Sequence, residues 1–234
     1  MKYNKVVPAR FLQRINRFVA RVELDGREET VHVKNTGRCK ELLVEGATVY
    51  LACSDSPSRK TKYDLVTVEK VRKDGSVLSV NIDSQIVNDV AEEWLSEGNL
   101  FSPHAKIRRE VRYGNSRFDF YVEDGSRKAF LEVKGVTLEQ DGFARFPDAP
   151  TERGVKHLNE LISCMGDGYE AYVLFVLAME GMHSFAPNDE THKAFGDTLR
   201  LAAKQGVKIL AVECSVTDDS VRATKAVSID LKEE

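Results

Sequence analysis

Residues 110–157 read EVRYGNSRFDFYVEDGSRKAFLEVKGVTLEQDGFARFPDAPTERGVKH. Asn115 and the pair Asp124-Gly125 supply turn signals that separate three strand-like runs, AKIRREVRYG, SRFDFYVEDG and RKAFLEVKGVTL. Asp119 lies in the second run and Glu132-Val133-Lys134 in the third. Side chains alternate along a strand, so Glu132 and Lys134 share one face while Leu131 and Val133 share the other. By the same alternation Asp119 is expected on the face opposite both Phe118 and Phe120. If the strands pair, two carboxylates and one ammonium meet on one face. Close carboxylates repel unless a cation joins them, and hard oxygen ligands favour Mg2+ or Mn2+. Lys134 is then placed to hold an attacking water or to offset charge on a phosphate. A third acid would complete the site. Glu110 on the preceding strand is the first candidate and Glu93 in the preceding helix the second. The bland alternative is an ion-pair ladder across a surface hairpin, because the Asp…Glu-x-Lys pattern is short.

Downstream, FARFPDAPTERGVKHL carries two prolines and Asp148 in an irregular turn before a helix that Thr151 can cap. Arg153, Lys156 and His157 fall in its first two turns, where backbone N–H groups favour an anion. A phosphate contact and an exposed basic helix face are both open readings. Val155, Leu158, Leu161, Ile162 and Met165 form the apolar face of that helix. YEAYVLFVLAM reads as a strand buried on both faces, DETHKAFGDTLRLAAKQG as an amphipathic helix ending at Gly206, and VKILAVECSV and TKAVSIDL as further strands. Upstream, SQIVNDVAEEWLSEGN reads as a helix with Asn88 as its N-cap. The order is that of an αβββαβ unit with a mixed sheet, the order on which such metal sites are built.

Residues 1–10 are polar and read as a short arm. RFVARVELDG, EETVHVKN, ATVYLACS and the hairpin TKYDLVTVEKVRKDGSVLSVNI then give five or six strands in about eighty residues, an OB-like barrel or sandwich. The division expected is a β domain over 1–83 and an α/β domain over 84–234. The chain carries a net charge of -3, but residues 1–83 hold 16 Lys and Arg against 11 Asp and Glu, whereas residues 84–234 hold 18 against 26. The first part is therefore the expected contact for a polyanion. Its cations are Arg14, Arg17, Lys34, Arg38, Lys40, Arg59, Lys60 and Lys62, with Phe11, Phe18 and Tyr63 interleaved as on a single-strand stacking platform. His32, between Val31 and Val33, is expected on the outer or ligand face. Four dispersed cysteines without a CxxC read as reduced thiols. There is no long apolar run and no secretory pattern, so a cytoplasmic protein without a membrane contact is expected. Neither a P-loop, a GxGxxG nor a GxSxG occurs.

INRFVARVELDG, VHVKNTGRCKELL, RKTKYDL, SRFDFYVE, LEVKGVTL and FPDAPTERGVKHLNEL together resemble the successive signature blocks of the sugar fermentation stimulation protein (SfsA) family. The resemblance spans nearly the whole chain and is most specific in the last block. It implies an N-terminal OB-like barrel, a C-terminal PD-(D/E)xK restriction-endonuclease-like domain, non-specific DNA binding and a regulatory link to sugar (maltose) utilisation in bacteria. It places the nuclease-like positions at Asp119, Glu132 and Lys134, and an N-terminal signature at Asn35, Thr36, Gly37 and Arg38. Members often carry a Gln in the strand pattern FVxQ, where this chain has Ala178.

Three readings follow. The first is a non-specific DNA-binding protein carrying a nuclease-like metal site, the second a Mg2+- or Mn2+-dependent nuclease, and the third a non-catalytic protein-interaction module. The nucleic-acid contacts expected are Arg17, Asn35, Arg38, Arg59, Lys60, Arg153, Lys156 and His157. The catalytic set is Asp119, Glu132, Lys134 and Glu110, with Asp119, Glu132 and Glu110 on the metal. The apolar edge strand near the C-terminus leaves a homodimer open.

Overall fold

Thirteen of the first eighty-three residues are valines, and most alternate with polar residues along strands that close on themselves. The computed structural model describes residues 1–35, 37–54 and 59–233, so Thr36 of the N-terminal signature lies outside the described residues. β1 (Val6–Asn16), β2 (Val19–Leu24), β3 (Arg27–Val33), β4 (Thr48–Cys53), β5 (Tyr63–Val71) and β6 (Val77–Asn81) form one sheet in the order β3-β2-β1-β4-β5-β6. A further parallel pairing, His32↔Asp64 and Val33↔Leu65, joins β3 to β5 and closes five strands into a barrel. Val22, Val31, Leu51, Leu65 and Val68 fill it. The stretch expected as a polar arm is instead the start of β1, because Val7 and Ala9 face the barrel interior from a strand whose other face is wet. Met1–Tyr3 cross to the other unit, where the Met1 amine reaches Glu93 at 2.8 Å and Tyr3 N donates to Asp219 O.

The second unit is a six-stranded mixed sheet in the order β15-β14-β12-β9-β8-β7. Its strands are β7 (Lys106–Tyr113), β8 (Ser116–Asp124), β9 (Arg127–Val136), β12 (Glu170–Leu177), β14 (Lys208–Val216) and β15 (Val221–Ala226). Helix α1 (Val87–Ser96) covers one face through Val90, Ala91 and Leu95. Helices α2 (Glu152–Gly166) and α3 (Asp189–Lys204) cover the other through Leu158, Leu161, Phe195 and Leu199. β12 runs parallel to both neighbours and is buried from Ala171 to Leu177, as its unbroken apolar run requires. Asn88 is not the cap of α1. The cap position is Ile86, without a side-chain bond, and the Asn88 amide is directed elsewhere.

A third sheet, β10 (Leu138–Gln140), β11 (Phe143–Phe146) and β13 (Ser184–Pro187), was not apparent from the sequence. It couples the two units. Lys70 on β5 donates to the Glu139 carbonyl at 2.6 Å and to its carboxylate, and Lys73 reaches Asp141 at 2.7 Å. Side chains of the barrel and of the α2/α3 face belong to one continuous apolar cluster. The run TKAVSIDL is divided between the end of β15 and a segment that packs inward. Val227, Ile229 and Leu231 contact the core, and Arg200 donates to the Leu231 and Lys232 carbonyls. The apolar residues expected on an open edge are therefore turned away from it. All four cysteines are free thiols; Cys39, Cys164 and Cys214 are buried and Cys53 is half-buried.

Candidate active site

The sheet opens where the acidic cluster was expected. β8 and β9 pair from Asp124↔Arg127 to Phe120↔Leu131 and then separate. At that point Asp119 Oδ2 accepts the Val133 N–H at 2.8 Å, standing in for a strand carbonyl, and Asp119 Oδ1 accepts from Asn88 Nδ2 at 2.8 Å. Strict alternation fails here. Phe118 packs in the cluster under α2, whereas Phe120 packs in the cluster under α1, so the two rings lie on opposite faces and do not jointly define the face of Asp119.

Glu132 is only 3% exposed. Lys134 Nζ and His157 Nδ1 both contact its Oε1, while its buried Oε2 has no hydrogen-bond partner among the described residues. Burial pushes both carboxyls up, but the outcomes differ. At Asp119 the nearby Glu132 charge adds to burial, and the group titrates above the usual carboxylate range despite the Val133 N–H. At Glu132 burial is outweighed by the hydrogen bond from His157 and by Lys134, and the group titrates below that range. Paired carboxylates driven apart in this way have different capacities to hold protons and cations.

The cleft above this pair encloses about 340 Å3 and is lined by Asn88, Asp119, Glu132, Lys134, Thr151 and Arg153, among others. Thr151 caps α2 as expected, its Oγ1 accepting from Gly154 N at 3.1 Å. The barrel borders the cleft through its loop after β3. Ser84, in the cleft wall, donates from both N and Oγ to the Lys34 carbonyl, and Arg38 N donates to Asp148 Oδ2 at 3.0 Å. Gly37 fits between Asn35 and Asp148 because it lacks a Cβ, which would lie 2.4 Å from Asp148 Oδ2. The NTGR and FPDAPTERG blocks, some 110 residues apart, thus meet at the seam of the two domains.

Several expected site residues are placed elsewhere. Glu110 adopts φ 56°, and its carboxylate pairs with Arg117 at 2.7 Å rather than joining Asp119 and Glu132. Glu93 holds the chain's amino terminus. Among the described residues no group of three or more His, Cys, Asp and Glu is placed to hold a metal ion. His157 is buried against Glu132, not on an exposed basic face, because α2 turns that position onto the sheet. Asn35 uses its amide on the Ile82 carbonyl and its Oδ1 on Gly37 N, which makes it a loop staple. Arg59 is committed to Asp64. Phe11 is a core residue, so of the three interleaved aromatics Phe18 alone is exposed. Arg17, Arg38, Lys60, Arg153 and Lys156 do stand on the surface, Arg153 at the lip of the cleft. The contributions of Asn88, Ser116, Arg117 and Asp148 were not anticipated. Those of Asn88 and Asp148 depend on contacts between distant segments, for which local patterning holds no signal.

The family model described as the sugar fermentation stimulation protein RE domain matches residues 85–220, and the SfsA N-terminal OB domain matches residues 12–79. The chain belongs to the SfsA family. Among SfsA relatives, the sugar fermentation stimulation protein homolog of Desulfitobacterium hafniense DCB-2 is 56% identical over 233 residues, covering 100% of both chains. That of Clostridium beijerinckii is 53% identical over 231 residues, covering 99% of this chain and all of its own. The solved structure of Pyrococcus furiosus SfsA in complex with Ca2+ matches with a TM-score of 0.85 at 28% identity, covering 98% of each chain. The SfsA barrel expected from the first eighty residues is thereby established, as is the α/β domain that follows it.

Proposed function

We propose that this protein binds nucleic acid without sequence preference and hydrolyses phosphodiester bonds with a divalent cation, Mg2+ or Mn2+, held by Asp119 and Glu132. The observation that carries the reading is the buried Glu132 Oε2, which lacks a partner among the described residues and lies beside a second carboxylate at an opening in the sheet. A buried carboxylate oxygen without a donor is costly, and a cation shared with Asp119 would remove that cost. These hard oxygen donors suit Mg2+, Mn2+ or Ca2+, and the related Pyrococcus furiosus protein was solved in complex with Ca2+. Such a cation, when bound, polarises a phosphoryl oxygen and acidifies a coordinated water. The remaining roles belong to the chain. Lys134 offsets negative charge beside the scissile phosphate, Asn88 and the Val133 N–H orient Asp119, and His157 fixes Glu132 from behind. Arg153 and the surface cations of the barrel hold the backbone of the strand. Any influence on sugar-utilisation genes would act through that DNA binding.

A second reading, binding without turnover, draws on the contacts by which Lys134 and His157 already satisfy Glu132 Oε1. Incubating single- and double-stranded DNA with Mn2+ separates the two. Wild-type protein cleaves, Asp119→Asn and Lys134→Ala lose about 10²-fold or more, and all three bind DNA with a steep salt dependence. Binding without cleavage by the wild type would select the second reading. Cleavage that survives both substitutions would point to a contaminant, and no binding at about 50 mM salt, where the electrostatic component is strongest, would reject both.

A further inference from the structure

Beside the cleft lies a second pocket of about 540 Å3, bounded by the β7–β8 turn and the first turns of α2. Its wall carries Ser116, Arg117, Glu152, Arg153, Lys156 and His157. Three cations, Arg117, Arg153 and Lys156, line it with one carboxylate, Glu152, and Glu160 lies 3.8 Å from Lys156 at its edge. The two cavities share Arg153, and His157 stands between them with its Nδ1 on Glu132. Arg117 and Lys156 are well exposed; Arg117 pairs with Glu110, and Lys156 Nζ donates to the Asn115 carbonyl at 2.8 Å. Ser116 is different. It is 6% exposed, and its hydroxyl has no hydrogen-bond partner among the described residues. A buried hydroxyl without a partner, set among cations at the start of a fifteen-residue helix, is a donor awaiting an acceptor.

We infer that this pocket binds a phosphate group, and that in the working protein the phosphate belongs to the strand whose neighbouring phosphodiester lies in the Asp119–Glu132 cleft. The inference about the strand rests on the function proposed above, whereas the phosphate chemistry rests on the pocket alone. Arg117 and Lys156 supply charge, the Ser116 hydroxyl supplies a short-range donor, and Arg153 reaches both phosphates. The group is either a terminal phosphate monoester or an internal phosphodiester, since both present non-bridging anionic phosphoryl oxygens to the cations, three in the first and two in the second.

The full-length protein and the double variant Arg117→Ala/Lys156→Ala distinguish these cases, with Ser116→Ala as a smaller perturbation. The first readout is thermal denaturation with inorganic phosphate. Phosphate at roughly tenfold above its dissociation constant raises the wild-type melting temperature by about 3–6 °C. The double variant loses that rise and Ser116→Ala reduces it. The second readout is the salt dependence of binding to 5′-phosphorylated, 3′-phosphorylated and unphosphorylated single strands. Removing both cations from that one phosphate lowers the slope of log K against log salt by about 0.7 for single strands. A preference for one phosphorylated end that vanishes in the double variant identifies a terminal phosphate. Equal loss on all three strands identifies an internal one. Equal phosphate shifts and equal slopes in wild type and double variant overturn the pocket. Loss of the phosphate shift alone, with a wild type that binds no strand, overturns the nuclease reading and the strand as source while retaining the phosphate site.

Discussion

Glu132 remains ionised under a cover of protein because Lys134 and His157 both reach one of its oxygens, whereas Asp119, with an amide on each oxygen and an acid beside it, holds its proton to higher pH. The two roles follow from neighbours on three separate elements, α1, β9 and α2. Asn88 is the contact most easily tested. Its amide sets the rotamer of Asp119 from α1, and removing it leaves the carboxylate free to turn. Asn88→Ala is expected to lower Mn2+-dependent cleavage by about 10–100-fold, the usual effect of losing an orienting partner at a metal ligand. Because Asn88 is partly exposed, its melting temperature should stay close to wild type. An unchanged rate under saturating Mn2+ would show that Asp119 is held by the Val133 N–H alone.

Among the elements, the β3–β5 junction has the clearest electrostatic signature. It has two paired residues, His32↔Asp64 and Val33↔Leu65, yet it closes the barrel. Asp64 sits at that junction with Arg59, Lys34 and His32 around it. Burial alone would raise its carboxyl, but those partners outweigh burial and bring it down to about 2. A carboxyl depressed in the folded state stabilises the fold above its unfolded-state value and loses that effect as acid protonates it. The stability difference between wild type and Asp64→Asn is therefore expected to be on the order of 2 kcal/mol near neutral pH and to shrink from about pH 4 towards pH 2. Urea denaturation of both proteins across that range measures it; a difference that does not change with acid would assign the effect to packing.

At the scale of the whole molecule, the barrel and the α/β domain unfold together if the small sheet between them holds. Glu139 on β10 is buried with Lys70 and Arg72 from the barrel against it, and Gly142 N donates to its Oε1. Burial would raise this carboxyl, but Lys70 and the Gly142 N–H outweigh it and it titrates low. Glu139→Ala strands two cations at the seam, a change expected to cost about 3–5 kcal/mol. A chain of this size should then melt roughly 6–20 °C lower. Calorimetry should also show the single transition broadening or dividing as the domains uncouple. A single transition at the wild-type temperature would show that the shared apolar cluster alone couples the domains.

Local pattern was enough to determine the barrel hairpins, the αβββαβ order, the fully buried β12 and the pairing of Glu132 with Lys134, because each depends on a period of two or 3.6 residues and on turn residues a few positions apart. Asp119 and Glu132, two of the three acids expected at the candidate site, were legible as charges on otherwise apolar strands, whereas the third, Glu110, is placed elsewhere. Tertiary structure alone decided that β8 leaves β9 at Asp119, that Glu110 faces Arg117, that His157 turns inward and that the polar start of the chain is a barrel strand. It also decided that the NTGR and FPDAPTERG blocks meet around Gly37. Apart from the local Glu110–Arg117 pair, those outcomes are settled by partners 14 to 110 residues away in the chain, and the energy that selects them comes from burial and hydrogen bonding between distant segments, which no short window contains.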